Sequence, residues 1–143
     1  MHRDFDIKDR IYLCQPPHEL DLHNNFDFRG LHYSVEDRVL SLHWRRSNGG
    51  RVSVETPSSL SIEFREVSEF RFLPRDAEVP FTEDDCVSTF GYWTDEPWAD
   101  GVIMTGPNQK PDPRWLTAIQ FMSGATIGVQ ALSAHALIAF EAA

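Results

Sequence analysis

The stretch Leu60-Ser61-Ile62-Glu63-Phe64-Arg65-Glu66-Val67-Ser68-Glu69-Phe70-Arg71-Phe72 alternates apolar and polar side chains almost throughout. Successive side chains of an extended chain point to opposite faces, so Leu60, Ile62 and Phe64 predict a strand with one apolar and one wet face. Phe70 and Phe72 continue that parity, with Glu69 and Arg71 on the other. Val67 falls on the wrong parity. A bend or bulge at Glu66-Val67-Ser68 reconciles the halves; a tight turn into a new strand is the competing reading.

The same period of two spreads outward from this stretch. Leu40, Leu42 and Trp44 alternate with Ser41, His43 and Arg45, and Val52 and Val54 alternate with Arg51, Ser53 and Glu55. The link Ser47-Asn48-Gly49-Gly50 tolerates positive φ, which predicts a hairpin between these two segments. Phe26 and Phe28 lie on one parity and Leu31 and Tyr33 on the other, with Gly30 between them as a bulge signal. Ser34 to Arg38 turns the chain into the Leu40 strand. Trp115, Ile119 and Phe121 predict a strand, Ser123-Gly124 a turn, and Ile127 and Val129 its partner. The alanines of Ser133 to Phe140 favour helix, whereas its short apolar run and its neighbours favour a final strand, the preferred reading. Ile7 to Leu13 reads as a short helix or an edge strand ended by Pro16-Pro17. The expected fold is mainly β: an antiparallel β-sandwich or strongly bent sheet of roughly seven to nine strands, with at most one or two short helices.

A chain of 143 residues with a 41% hydrophobic fraction, ten Phe and four Trp can bury an aromatic-rich core, and a single domain over 1–143 is expected. Cys14 and Cys86 are far apart and lack metal-ligand spacing, which points to two reduced thiols in a cytoplasmic protein. Met1-His2-Arg3-Asp4-Phe5-Asp6 carries acids where a secretory signal would be apolar. The weakly charged run from Trp115 to Phe140 is broken by Gln, Ser, Gly, Thr and His and does not read as a membrane span.

Charge is unevenly placed. Between Arg75 and Lys110 lie Asp76, Glu78, Glu83, Asp84, Asp85, Asp95, Glu96 and Asp100, with no Lys, Arg or His, so this segment supplies nearly all of the net charge of −9. It also carries Phe81, Phe90, Tyr92, Trp93 and Trp98, and prolines and glycines punctuate residues 76–113 as a long excursion from the sheet. An acidic chain repels nucleic-acid phosphate and anionic lipid, so a basic protein partner is expected, with no nucleic acid and no membrane. Elsewhere Glu63, Glu66 and Glu69 interleave with Arg65 and Arg71 on a mixed-charge face.

Candidate chemistry is sparse. His18, Glu19, Asp21 and His23 resemble ligands, but the spacing of His18 and His23 does not converge on one ion, and solvated loop histidines are the plainer reading. His32 and His43 are potential cross-strand neighbours. No G-x-S-x-G occurs, and Cys86 follows three acids that raise a thiol pKa. Glu83-Asp84-Asp85 lacks the calcium-loop pattern. No cofactor, metal or catalytic set is expected.

The order Phe26-Asp27-Phe28-Arg29-Gly30-Leu31, Arg38-Val39-Leu40-Ser41-Leu42, Phe70-Arg71-Phe72-Leu73-Pro74-Arg75-Asp76 and Phe121-Met122-Ser123-Gly124 resembles small bacterial proteins with a mostly β core, similar to domains grouped with toxin-immunity proteins. The resemblance implies a small, acidic, cytosolic protein that occludes a basic toxin domain, and it implies no catalytic residues. The leading expectation is therefore a non-enzymatic binding protein. Its partner-binding residues would be Glu83, Asp84, Asp85, Tyr92, Trp93, Asp95, Glu96, Trp98 and Asp100, the aromatics as anchors and the acids for steering and pairing. The alternatives are a small-ligand binder or enzyme with a carboxylate- and Trp-lined pocket, and a homodimeric structural protein.

Overall fold

Two long strands form the spine of the computed structural model, which describes residues 1–141. In chain order the strands are β1 (His2–Arg3), β2 (Asp6–Lys8), β3 (Tyr12–Gln15), β4 (His18–Asp21), β5 (Phe26–Ser34), β6 (Val39–Arg46), β7 (Ser59–Leu73), β8 (Val87–Trp93), β9 (Leu116–Phe121) and β10 (Thr126–Ala139). β7 and β10 run antiparallel from Thr126 opposite Leu73 to Ala139 opposite Ser59. β6 lies along the first half of β7 with β5 outside it, and β9 lies along the first half of β10 with β8 outside it. The sheet order is β5-β6-β7-β10-β9-β8, with β1 parallel to β10 at Ser133 and Ala134.

The parity break in β7 is a bulge. Gln130 faces Glu69 and Ala131 faces Val67, leaving Ser68 unopposed, while Glu66 takes a positive φ of 54°. The twist at Glu66 keeps Val67 on the face that carries Phe64, and the extra residue Ser68 then keeps Phe70 on that same face. The spine turns there, so the ring of Phe70 comes within 6.4 Å of Tyr33 on distant β5. The sheet thereby becomes a strongly curled half-barrel, the bent-sheet alternative. A second bulge leaves Arg29 unopposed in β5 beside Gly30, whose φ is 152°.

The hollow of the half-barrel is filled from inside. Leu40, Leu42, Trp44, Leu60, Ile62, Phe64, Phe90, Ile119 and Ile127 are buried in one cluster, and the small sheet β2-β3-β4 closes over it with Phe5, Leu13, Leu20 and Leu22. Each such side chain contributes about 1.5–3 kcal/mol on burial. Among the described residues the indole N–H of Trp44 is a buried side-chain donor without a partner.

Several expectations need correction. The hairpin between Leu40–Arg45 and Val52–Glu55 does not form: both edges of β6 are already taken, by β5 and β7. The Val52 segment is a loop tied down by Arg46, which donates to the carbonyls of Val54 and Thr56. Within residues 76–113, β8 belongs to the main sheet, and the chain leaves the sheet before and after it. Ile7 to Leu13 holds neither a helix nor one edge strand but parts of β2 and β3 joined by a turn. His32 faces Ser41 and His43 faces Gly30, so the two histidines are not opposite each other. Among the described residues ten strands replace the roughly seven to nine expected, seven of them in the main sheet, and Phe81–Asp84 is a 3-10 turn. Among the described residues no helix is long and apolar enough to cross a membrane.

Two close approaches on the outer face fix where the acidic segment rests. A Cβ at Gly128 would stand 2.5 Å from the Trp93 ring, and one at Gly91 would stand 2.4 Å from the Ile103 carbonyl oxygen. Gly128→Ala should therefore lift Trp93 and lower stability by about 1–3 kcal/mol. Denaturant unfolding followed by near-ultraviolet circular dichroism checks this, and an unchanged midpoint and spectrum would show that Trp93 does not lie there.

Candidate functional site

β8 divides the acidic segment into two ends. A seven-residue strand spans about 20 Å, so Glu83, Asp84 and Asp85 before it and Asp95, Glu96 and Asp100 after it do not form one continuous cluster.

At the far end of β8, Trp93 lies flat over Gly128 and carries the Arg71 guanidinium 5.3 Å from its ring centre. Arg71 Nη1 and Nη2 donate to the two oxygens of Asp95 at 2.7 and 2.8 Å, and Nε donates to Glu69 at 2.6 Å. The Arg71 hydrogen bond holds the Asp95 carboxyl below its ordinary value, while Asp95 and Glu69 push Arg71 upward. Asp95 is thus already engaged. Beyond it the chain leaves the sheet. Trp98 is 64% exposed, with its ring 6.1 Å from Trp115, and Trp115 lies 6.0 Å from Tyr92. Glu96 and Asp100 flank Trp98, both exposed and, among the described residues, without a cation in ion-pair range. A shallow cavity of about 300 Å³ between Arg71, Trp93, Asp95, Glu96 and Arg114 opens on this side.

At the near end, Pro80 starts the 3-10 turn Phe81–Asp84. Arg75 folds under it, with its guanidinium 4.5 Å from the Phe81 ring centre, Nε donating to Asp84 at 2.9 Å and Nη2 donating to the Val79 carbonyl. Asp84 is held low by that Arg75 hydrogen bond. Asp85 is pushed up, first by burial and then by the nearby Asp27 carboxylate. Its backbone carbonyl accepts the Phe28 N–H at 2.8 Å, which brings the start of β8 against β5. Beside this contact lies an apolar groove of about 450 Å³, walled by Phe28, Leu31, Phe72, Phe81, Phe121 and Ile127.

The predicted partner-binding residues therefore fare unequally. Tyr92 is only 5% exposed, capped by Arg3 at 5.2 Å, and cannot serve as a surface anchor. It lies on the inner face because alternation along β8 places it with Phe90. Trp93 is half-buried. Asp84 and Asp95 are bound to Arg75 and Arg71. Trp98, Glu96, Asp100, Glu83 and Asp85 remain open to a partner.

Two constellations invisible in the linear sequence appear. Cys86 Sγ lies 3.5 Å from His23 Nδ1, but the same nitrogen sits 2.6 Å from the Val87 carbonyl oxygen. That short contact requires Nδ1 to carry a proton and donate it to Val87, leaving no lone pair to accept the thiol proton. Burial, followed by Glu83, Asp85, Asp27 and Asp21, raises the Cys86 pKa as well. The pair is not an activated nucleophile.

Ser133 Oγ lies 3.0 Å from His135 Nε2, and His135 Nδ1 lies 3.4 Å from Asp4 Oδ2. This has the order of a hydrolase triad, yet Ser133 sits within a long strand rather than on the strained turn that presents a nucleophile. Asp4 instead serves the sheet. Its Oδ1 accepts the Ala136 N–H at 2.9 Å and its own N–H meets the Ala134 carbonyl, extending β1 along β10. Among the described residues no three His, Cys, Asp or Glu side chains converge to hold a metal ion.

The raised Asp85 pKa fixes the sign of a pH effect. A carboxyl whose folded pKa exceeds its unfolded one costs stability when ionised, and that cost disappears as pH falls through both values. Asp85→Asn should raise the melting temperature at pH 7, and the gain should shrink on acidification through the carboxylate range. A variant that is less stable at pH 7, or stabilised equally at all pH, would contradict this environment. No protein-family model, curated protein or solved structure matches the chain.

Proposed function

We propose that this is a non-enzymatic binding protein that holds a basic protein partner against the acidic, aromatic loops on either side of β8. The observation that carries the reading is Trp98: a large indole, mostly exposed, braced from behind by Trp115 and flanked by Glu96 and Asp100, carboxylates without an ion pair among the described residues. Exposing an indole on a monomer surface has no benefit for folding, whereas a braced aromatic surrounded by charge is how interfaces build their anchors. Asp95 serves the loop rather than the partner, since its pairing with Arg71 pins the chain just before Glu96. At the other end Glu83 and Asp85 add negative potential without a bound cation among the described residues. The likeness to toxin-immunity domains agrees with this job, a basic toxin domain being one partner of the right charge.

The reading is tested by affinity capture from a lysate, followed by binding kinetics on the purified captured protein. That protein should be basic. Trp98→Ala should weaken the complex by roughly thirtyfold, as loss of an interface anchor does. Glu96→Gln with Asp100→Asn should slow association several-fold and flatten its salt dependence, with dissociation little changed. An acidic captured protein, or kinetics indifferent to both sets of changes, would overturn the proposal.

A further inference from the structure

The main sheet ends in two terminal strands, β8 and β5, and they are finished differently. On the outer edge of β8, Phe90 N–H donates to the Arg10 carbonyl, and Tyr92 exchanges backbone hydrogen bonds of 2.9 and 2.8 Å with Ile103. The edge of β10 beyond β9 is likewise covered, by β1, by the Asp4 carboxylate on Ala136 N–H and by Gln15 on the Ala136 carbonyl. On β5 the one such bond among the described residues is Phe28 N–H to Asp85.

The direction of the remaining β5 groups follows from β6. Arg46 N–H bonds to the Ser58 carbonyl, and the Arg38 carbonyl accepts Val67 N–H, so residues of even number in β6 turn their backbone groups towards β7. Leu40 and Leu42 share that direction. Their partners in β5, Tyr33 and Leu31, must then point both N–H and C=O away from β6. Those four groups form an open edge. Between Gly30 and Ser34 that edge carries no Lys and no Pro, the residues that usually blunt one.

Beside the open edge the inner face of the half-barrel is uncovered. Leu31 is 40%, Phe72 55% and Phe81 80% exposed, and with Phe28, Phe121 and Ile127 they wall the 450 Å³ groove. The rim is net acidic. Arg75 is consumed by Asp84, which leaves Arg29 against Asp27, Glu83 and Asp85, none of them in an ion pair among the described residues.

We infer that the β5 edge accepts an extended segment of another protein as an added strand, with alternate apolar side chains entering the groove and basic ones facing the acids at its rim. The choice of occupant rests on the basic-partner reading. Strand addition supplies the missing ladder bonds at Leu31 and Tyr33, and the groove supplies side-chain selection. A second copy of this chain fits poorly, because it would bring the same acids and another charge of −9 to the edge.

The probe is a short capped peptide alternating valine and lysine. It should produce saturable amide shifts at Leu31 and Tyr33 and slow their hydrogen exchange. The same peptide methylated on alternate backbone nitrogens should fail to do so, and a valine–glutamate version should bind roughly tenfold more weakly or worse. Leu31→Pro removes no ladder bond, since that N–H points outward, and should weaken binding roughly tenfold. Phe81→Ser, at a mostly exposed position, should weaken it several-fold in a protein that remains folded, with a melting temperature lowered slightly by loss of the Arg75 contact. Shifts absent from β5, equal binding of the methylated or glutamate peptide, or a dimer abolished by Leu31→Pro would overturn the inference. Trp98→Ala should not alter the β5 response, so failure at the strand edge and failure of the Trp98 anchor read out separately.

Discussion

A two-part break in β7, with Glu66 at positive φ and Ser68 left unopposed, governs the shape of this molecule. Without that break, the parity of Leu60, Ile62 and Phe64 would leave Val67 facing water and the β7/β10 spine nearly straight. With it, Val67 returns to the core, the spine turns, and Phe70 meets Tyr33 across the hollow. The two arms, β6-β5 and β9-β8, attach to opposite ends of the spine, so the turn brings β5 and the start of β8 into contact at Phe28 and Asp85. The groove beside that contact is what a curled sheet leaves when it approaches closure and stops short.

Electrostatics then divides what composition lumps together. Eight acids in one stretch suggest a single negative surface. In the folded chain β8 separates them, and two arginines from β7 and the segment just after it each neutralise one carboxylate: Arg71 takes Asp95 and Arg75 takes Asp84. Both arginines also lie over aromatic rings, Trp93 and Phe81. These composite contacts hold the two loops on the sheet, and the acids left over face outward.

Period two made the strands legible. β6, β7, β9 and the first part of β10 follow from alternation, whereas the rest of β10 reads as strand from its neighbours. Two bulges are marked, by the misplaced Val67 and by Gly30; a third, which leaves Ser88 unopposed in β8, is not. Pairing was less legible. Val52 and Val54 carry the same alternation as Leu40 and Leu42, and nothing local says that β6 has both edges filled by strands at its flanks. At the site, Trp98 and its acidic neighbours could be read from composition, whereas the burial of Tyr92 depends on which face of β8 turns inward. The Cys86–His23 and Ser133–His135–Asp4 contacts join residues far apart in sequence, and only the fold brings them together.

The pairing of β1 with β10 sets an order on assembly. His2 meets Ser133, so the first strand has no partner until the last one exists. During synthesis the small sheet and β5 to β7 emerge well before β10, and the spine itself cannot zip from a local hairpin. Contacts this distant along the chain make for slow acquisition of structure, with apolar strand faces exposed in the interval. Until β10 is made, both β1 and the β10-facing edge of β7 wait without a partner.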